Sequence, residues 1–157
     1  MWQRVFALLL LFTSYCILVS AKQTKPALED VTFCELAKNP IAFSGKQIRV
    51  RAVYSYMFEI SNLRSPTCCS VHESIWVDFD EELRGESKRL FNSFPKGMGV
   101  VLAVFVGRIE TGEAYGTGQR IRLVVNQIDK VEAKAKPSTH KYPAWVPRDC
   151  DSKKNPV

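Results

Sequence analysis

The sequence predicts a small, mainly β domain in which five strands are flanked by short helices, and three observations predict it. Residues 47–54 and 73–80 alternate apolar and polar side chains, the period of a strand with one wet face. Residues 100–106 form a continuous, mostly β-branched run that suits a strand buried on both sides. The helix-compatible segments are short and stand before the first strand and between the third and fourth.

The elements follow in order. Phe33-Cys34-Glu35-Leu36-Ala37-Lys38 reads as a helix that Asp30 or Thr32 can cap and that Asn39-Pro40 ends. Phe33, Leu36 and Ala37 share its buried side. Ser44-Gly45 turns the chain into the first strand, where Ile48, Val50 and Ala52 alternate with Gln47, Arg49 and Arg51. A second strand spans Met57 to Leu63 and leads into the loop SPTCCSVH. In the third, Ile75, Val77 and Phe79 oppose Trp76, Asp78 and Asp80. Residues 81–94 are helix-compatible through Leu83, Leu90, Phe91 and Phe94, with Pro95 beyond the end and Gly85 weakening the first turn. The fourth strand is followed by a flexible connection over Gly112 to Gly118, and the fifth runs from Arg120 to Ile128. Helix, three strands, helix, two strands is the order of an OB-fold-like five-stranded Greek-key barrel. An α+β sheet sandwich shares that order, and periodicity alone does not separate the two.

At the start, MWQR precedes an apolar run from Val5 to Val19 and the small residues Ser20-Ala21. This pattern predicts a secretory signal cut after Ala21. A membrane span needs about 20 apolar residues, and this run is shorter and broken by Thr13, Ser14 and Tyr15. If the leader were kept, the protein would be a membrane-tethered accessory subunit. The organisation expected is a signal over 1–21, a polar leader over 22–32, an OB-like domain over 33–132 and a basic, proline-containing tail over 133–157. Localisation is then periplasmic or extracellular.

The formal charge is +6, but it is unevenly placed. The tail holds six Lys and Arg against two Asp, whereas residues 22–132 hold 15 Lys and Arg against 14 Asp and Glu. A basic tail gives loose attraction to anionic surfaces, while tracking a phosphate backbone needs a basic stripe on the folded face. Nucleic acid is accordingly the less favoured partner, behind protein or peptide and envelope polysaccharide.

Removing the signal leaves four of the five cysteines: Cys34, Cys68, Cys69 and Cys150. An even number in an exported chain points to disulfides. A bridge between the adjacent Cys68 and Cys69 strains its peptide, which leaves 34–68 with 69–150, or 34–69 with 68–150. Either pairing makes the domain disulfide-stapled. The alternative is a metal or thiol-redox site at Cys68, Cys69 and His72, since Cys69-x-x-His72 has zinc-like spacing. No second ligand pair accompanies it. His140 is the other histidine, and neither histidine stands in a hydrolase signature. Asp78, Asp80, Glu81 and Glu82 lack the spacing of a calcium loop and read as a solvated strand end and helix start. No cofactor is implied.

The stretch CELAKNPIAFSGKQIRVRAVYSYMFE, the strand SIWVDF and the closing pattern Tyr115-Gly116 with Arg120-Ile121-Arg122-Leu123-Val124-Val125 resemble a group of small exported bacterial proteins of unknown function. The resemblance covers about residues 33–132. It implies an OB-like domain and export, and no catalytic motif comes with it. This sequence carries Phe43 and Ser44 where that pattern favours Tyr and Asp.

The residues expected to bind a ligand are Arg49, Arg51, Tyr54, Tyr56, Trp76, Arg120 and Arg122. The exposed face of such a barrel binds through aromatic stacking and charge-assisted hydrogen bonds, and Trp76 falls on the polar side of its strand. Against this, Trp76 can pack under a flanking segment while the arginines pair with Glu59, Asp78 or Asp80. With no catalytic constellation, the expected function is an exported, non-catalytic binding module.

Overall fold

The structure is a computed structural model that describes residues 27–65 and 74–136, with 143 and 145. The signal, Cys68, Cys69, Cys150, His72 and His140 lie outside these residues. Cys34 is the one cysteine among them, and no disulfide is seen there. The described chain is mainly β: β1 (Glu29–Val31), α1 (Phe33–Lys38), a one-turn 3-10 helix (Pro40–Phe43), β2 (Gln47–Met57), β3 (Ile60–Arg64), β4 (Ile75–Phe79), α2 (Gly85–Asn92), β5 (Met98–Tyr115) and β6 (Gln119–Ala135).

Helix α1 begins in a capping box. Glu35 N–H donates to Thr32 Oγ1 at 3.2 Å, and Thr32 N–H donates back to Glu35 Oε2 at 2.9 Å, so two of the orphan amides of the first turn are met. Phe33, Leu36 and Ala37 are buried, the face expected from their spacing.

The six strands form one sheet in the order β1-β2-β3-β4-β6-β5, and β2 also pairs with β5. Strands β2, β3, β4, β6 and β5 therefore pair in a cycle, each with two of the others. The β4–β6 pairing is parallel, and the other four in the cycle are antiparallel. Strand β2 makes this possible by its length. Its first half takes β1 on one edge, its second half takes β3 on the same edge, and its whole length faces β5 on the other.

The inner face of the cycle is the core. Ile48, Val50, Ala52 and Tyr54 of β2, Leu63 of β3, Ile75 and Val77 of β4, Phe105 and Ile109 of β5, and Leu123 and Val125 of β6 belong to one buried cluster. At one end an aromatic group fills the interior. Tyr54 stacks on Tyr56 with centroids 4.9 Å apart, and Phe79 lies 4.6 Å from Phe91 of α2. Burial pushes the Tyr56 phenol up to about 12, so it stays protonated and donates to Pro95 O at 2.5 Å. A second cluster on the outer face joins Val53, Val100 and Leu102, with Ala133 and Trp145 packed on it.

Four elements depart from expectation. Strand β1 lies in the segment read as a polar leader, where three residues are too few to show a period. Helix α2 starts at Gly85, at φ 54, rather than at Glu81, because residues 81–84 form a turn and an extended approach. Strands β5 and β6 run on to Tyr115 and from Gln119, so most of the glycine-containing connection belongs to a long hairpin. Strand β6 also continues to Ala135, alternating its weakly buried residues against β5.

Helix α2 meets β6 through one hydroxyl. Ser87 Oγ accepts from Ile128 N–H at 3.0 Å and lies 3.3 Å from Ile128 O, to which it donates. The side chain takes the place of a neighbouring strand at that residue.

At Gly107 strand β5 runs so close to β6 that a Cβ atom would stand 2.3 Å from the Val124 carbonyl oxygen. The obstacle is backbone in a paired strand and cannot swing away. Gly107→Ala is expected to destabilise the protein by about 2 kcal/mol or more in equilibrium denaturation; an unchanged midpoint would mean that the register shift beside Val106 absorbs the methyl group.

Candidate functional site

The seven residues expected to bind a ligand are separated by the fold. Arg49 and Arg51 leave the outer face of β2 and cross β5 to acids on β6. Arg49 Nε lies 2.7 Å from Asp129 Oδ2 and its Nη1 3.2 Å from Asp30 Oδ1, while Arg51 Nη2 lies 2.7 Å from Glu132 Oε2. Their hydrogen bonds with these carboxylates hold the Arg49 and Arg51 guanidiniums above their ordinary pKa and the Glu132 carboxyl below its own. Tyr54 and Tyr56 point inward, and the buried Tyr54 hydroxyl is within 3.1 Å of Ser61 Oγ.

Trp76 and Arg122 stand side by side. They are register partners on β4 and β6, and Arg122 is in turn opposite Glu110 on β5. Trp76 is half-buried, donates from Nε1 to Asp78 Oδ1 at 2.9 Å, and packs its ring against Gly116 in the hairpin turn. Gly116 has φ 49, and the indole occupies the space where a Cβ would lie. Arg122 donates to Asp78 Oδ2 at 2.9 Å and to Glu110, and its guanidinium lies 4.4 Å from the Tyr115 ring centroid. Asp78, expected as one arginine partner, serves Arg122; Asp129, Glu132, Asp30 and Glu110 serve as the other partners and were not foreseen. Trp76 packs under the β5–β6 turn rather than under a helix or the tail.

Arg120 is placed differently. It is exposed and makes no ion pair or hydrogen bond among the described residues. It lines an open cleft of 770 Å³ with Pro40 and Ile41 of the 3-10 turn, Ser74 before β4, Thr111 and Gly112 of β5, and Thr117 to Ile121 of the hairpin. The cleft exists because β5 and β6 outrun β2. Pairing of β2 with β5 ends at Arg108, and Gly45 and Lys46 hold Ile109 by two main-chain bonds of 2.8 and 3.1 Å. Beyond that point the core-facing residues Thr111, Ile121 and Gln119 look onto the 3-10 turn. Gln119 Nε2 is held by Ser74 Oγ at 3.3 Å and Thr117 Oγ1 at 3.1 Å, and Thr111 Oγ1 is 2.8 Å from Ser44 Oγ. Ile41 is 78 % exposed although it is a large aliphatic residue.

Sequence reasoning missed Ile41, Ser74, Thr111 and Gln119. They come from three segments far apart in the chain, the 3-10 turn, the approach to β4 and the β5–β6 hairpin, and none carries a pattern that marks it. Among the described residues no group of His, Cys, Asp or Glu is arranged to hold a metal ion. Of the acidic cluster, Asp78 is engaged by Trp76 and Arg122, and Asp80 accepts from Glu82 N–H at 2.8 Å in a turn. Cys34 Sγ lies 4.0 Å from Ser65 Oγ, at the start of the loop that carries Cys68 and Cys69.

No protein-family model and no curated protein matches this chain.

Hydrogen bonds from Arg122, with its charge and that of Arg108, hold the Glu110 carboxyl below its ordinary range. A group whose folded pKa is depressed stabilises the fold above its unfolded pKa, about 4.3, and loses that contribution as pH falls through the folded value. Glu110→Gln is therefore expected to cost about 1 kcal/mol or less at pH 7, given the partial exposure of the pair. Denaturation curves at pH 7 and pH 3 check this: the deficit should shrink at the lower pH, and a deficit of unchanged size there would assign it to packing instead of charge.

Proposed function

We propose that this protein is an exported, non-catalytic binding module built on an OB-fold-like five-stranded barrel, and that its ligand site is the cleft beside Arg120. The observation that carries the reading is an arginine with no carboxylate partner among the described residues, lining a concave site, in a domain whose other surface arginines are largely neutralised. Clefts of this size at the mouths of β-barrels are common places for ligands. The barrel itself is supported by the cyclic pairing β2-β3-β4-β6-β5, with α2 between the third and fourth of these strands in chain order. That strand order is also what membership in the group of small exported proteins would require.

Export and disulfide bracing belong to the same proposal. The leader supports export with cleavage after Ala21. Cys34 beside Ser65 supports a bridge to Cys68 or Cys69, three or four residues further along the chain, and Cys150 would take the remaining thiol. Closing loops of roughly 35 and 80 residues would each contribute about 3.5 to 4.5 kcal/mol in the chain-entropy account. Intact mass of the exported product, with and without a thiol-trapping reagent, tests both points. The expected species lacks residues 1–21 and takes up reagent only after reduction. Four reactive thiols with stoichiometric zinc would replace the bridges by a metal site at Cys68, Cys69 and His72.

The binding reading is tested by thermal denaturation of the exported protein with three sets of probes: short peptides, envelope oligosaccharides and single-stranded oligonucleotides. One class is expected to raise the midpoint of the parent and not that of an Arg120→Gln, Ile41→Asp double variant. Both positions are exposed, so the variant keeps the core intact. A shift that survives in the variant would move the site elsewhere, and no shift with any class would remove the reading.

A further inference from the structure

We propose that the cleft receives the free carboxylate end of a peptide chain, with Arg120 holding the carboxylate and Ile41 and Ile121 receiving the terminal aliphatic side chain. This rests on the reading of the protein as a binding module and adds the chemistry of the ligand.

The charge of the site comes first. Of the described residues that line it, Arg120 alone is charged, and no acid is among them. The arginines at 49, 51, 84, 89, 108 and 122 each meet a carboxylate of this chain at 3.2 Å or less. A planar guanidinium with its fork unused is the natural partner of a carboxylate, which it holds through two parallel hydrogen bonds. A single cation without neighbours fits a single negative charge, whereas a nucleic-acid backbone needs several cations in file. No aromatic ring is among the described residues of the cleft, so they offer no stacking platform of the kind that single-stranded nucleic acid uses.

The rest of the lining suits a peptide main chain. Ser74, Thr117 and Gln119 are already linked to one another, which fixes the Gln119 amide in place; its carbonyl, which accepts from Thr117 Oγ1 at 3.2 Å, keeps a second lone pair that an amide N–H of a bound chain can use. Gly112 and Gly118 have φ of 116 and 104, and no atom lies within 4 Å of where their Cβ would be. The backbone is thus open to close approach at two points of the wall. Ile121 is buried at the base and Ile41 stands exposed at the rim, so an aliphatic side chain entering between them would be covered on two sides.

The test uses the exported protein and fluorescein-labelled tetrapeptides ending in leucine, valine or alanine, each as the free acid and as the C-terminal amide, read by fluorescence anisotropy. At least one free acid is expected to bind, and its affinity should fall about tenfold or more on amidation and by a similar factor in Arg120→Gln. Ile41→Ser should weaken the leucine peptide more than the alanine peptide. Equal binding of acid and amide, or full binding by Arg120→Gln, would overturn the proposal. So would the failure of every peptide while an oligosaccharide stabilises the parent and not the cleft variant, an outcome that leaves the binding module standing. An oligonucleotide that stabilises the parent and not the cleft variant while every peptide fails has the same consequence, and if all three classes fail the two readings fall together.

Discussion

Eleven consecutive residues of β2 pair with β5, from Gln47 opposite Arg108 to Met57 opposite Met98. The closed arrangement of the sheet depends on this ladder. It turns a run of strands that would otherwise end in two free edges into a cycle, and it sets which side chains look inward. A slip of one residue would expose Ile48, Val50, Ala52 and Tyr54 and bury Arg49 and Arg51, so the register is held by the whole apolar face at once. The glycines at 99 and 107 allow the neighbouring strands and the Tyr56 ring to come as close as this geometry demands.

The outer face of the same ladder is closed in two different ways. Over Val104 and Val106, which stand opposite Arg51 and Arg49, the arginine side chains reach across β5 to Asp129 and Glu132. Their hydrocarbon stems cover apolar surface while their charged ends stay wet, as long basic side chains commonly do. Over Val53, Val100 and Leu102, Trp145 supplies the cover instead. What remains accessible is the end where the hairpin outruns β2. The cleft is therefore a by-product of unequal strand lengths, and Arg120 is left uncompensated because no acid among the described residues is placed to reach it there.

Much of the fold was legible because it rests on local patterns. The helix α1 was visible in Thr32 and Glu35 at capping-box spacing and in the triplet Phe33, Leu36 and Ala37; β2 and β4 were visible in strict alternation. What escaped had non-local causes. Strand β1 is three residues long and is held by Asp30 on Arg49 and Glu29 on Lys46, pairs that exist only once β2 is in place. The glycines from 112 to 118 suggested a loose connection, yet Gly112 lies within β5 and Gly116 sits in the hairpin turn against Trp76. The candidate site was the least legible part. One of its residues, Arg120, stood among the expected ligands, but its distinction lies in lacking an acid among the described residues, and that depends on where three distant segments meet.

The hydroxyl of Ser87 bears on how the molecule behaves in company. A strand flank with unmet amides and carbonyls invites a like strand from another copy, and that is how ordered aggregates start. At Ile128 both groups are already occupied by one small side chain held on a helix. Lys130 and Lys134, close by on β6, add charge that a stacked copy would have to bring together. A single serine thus closes that stretch of the β6 flank to a strand from another copy.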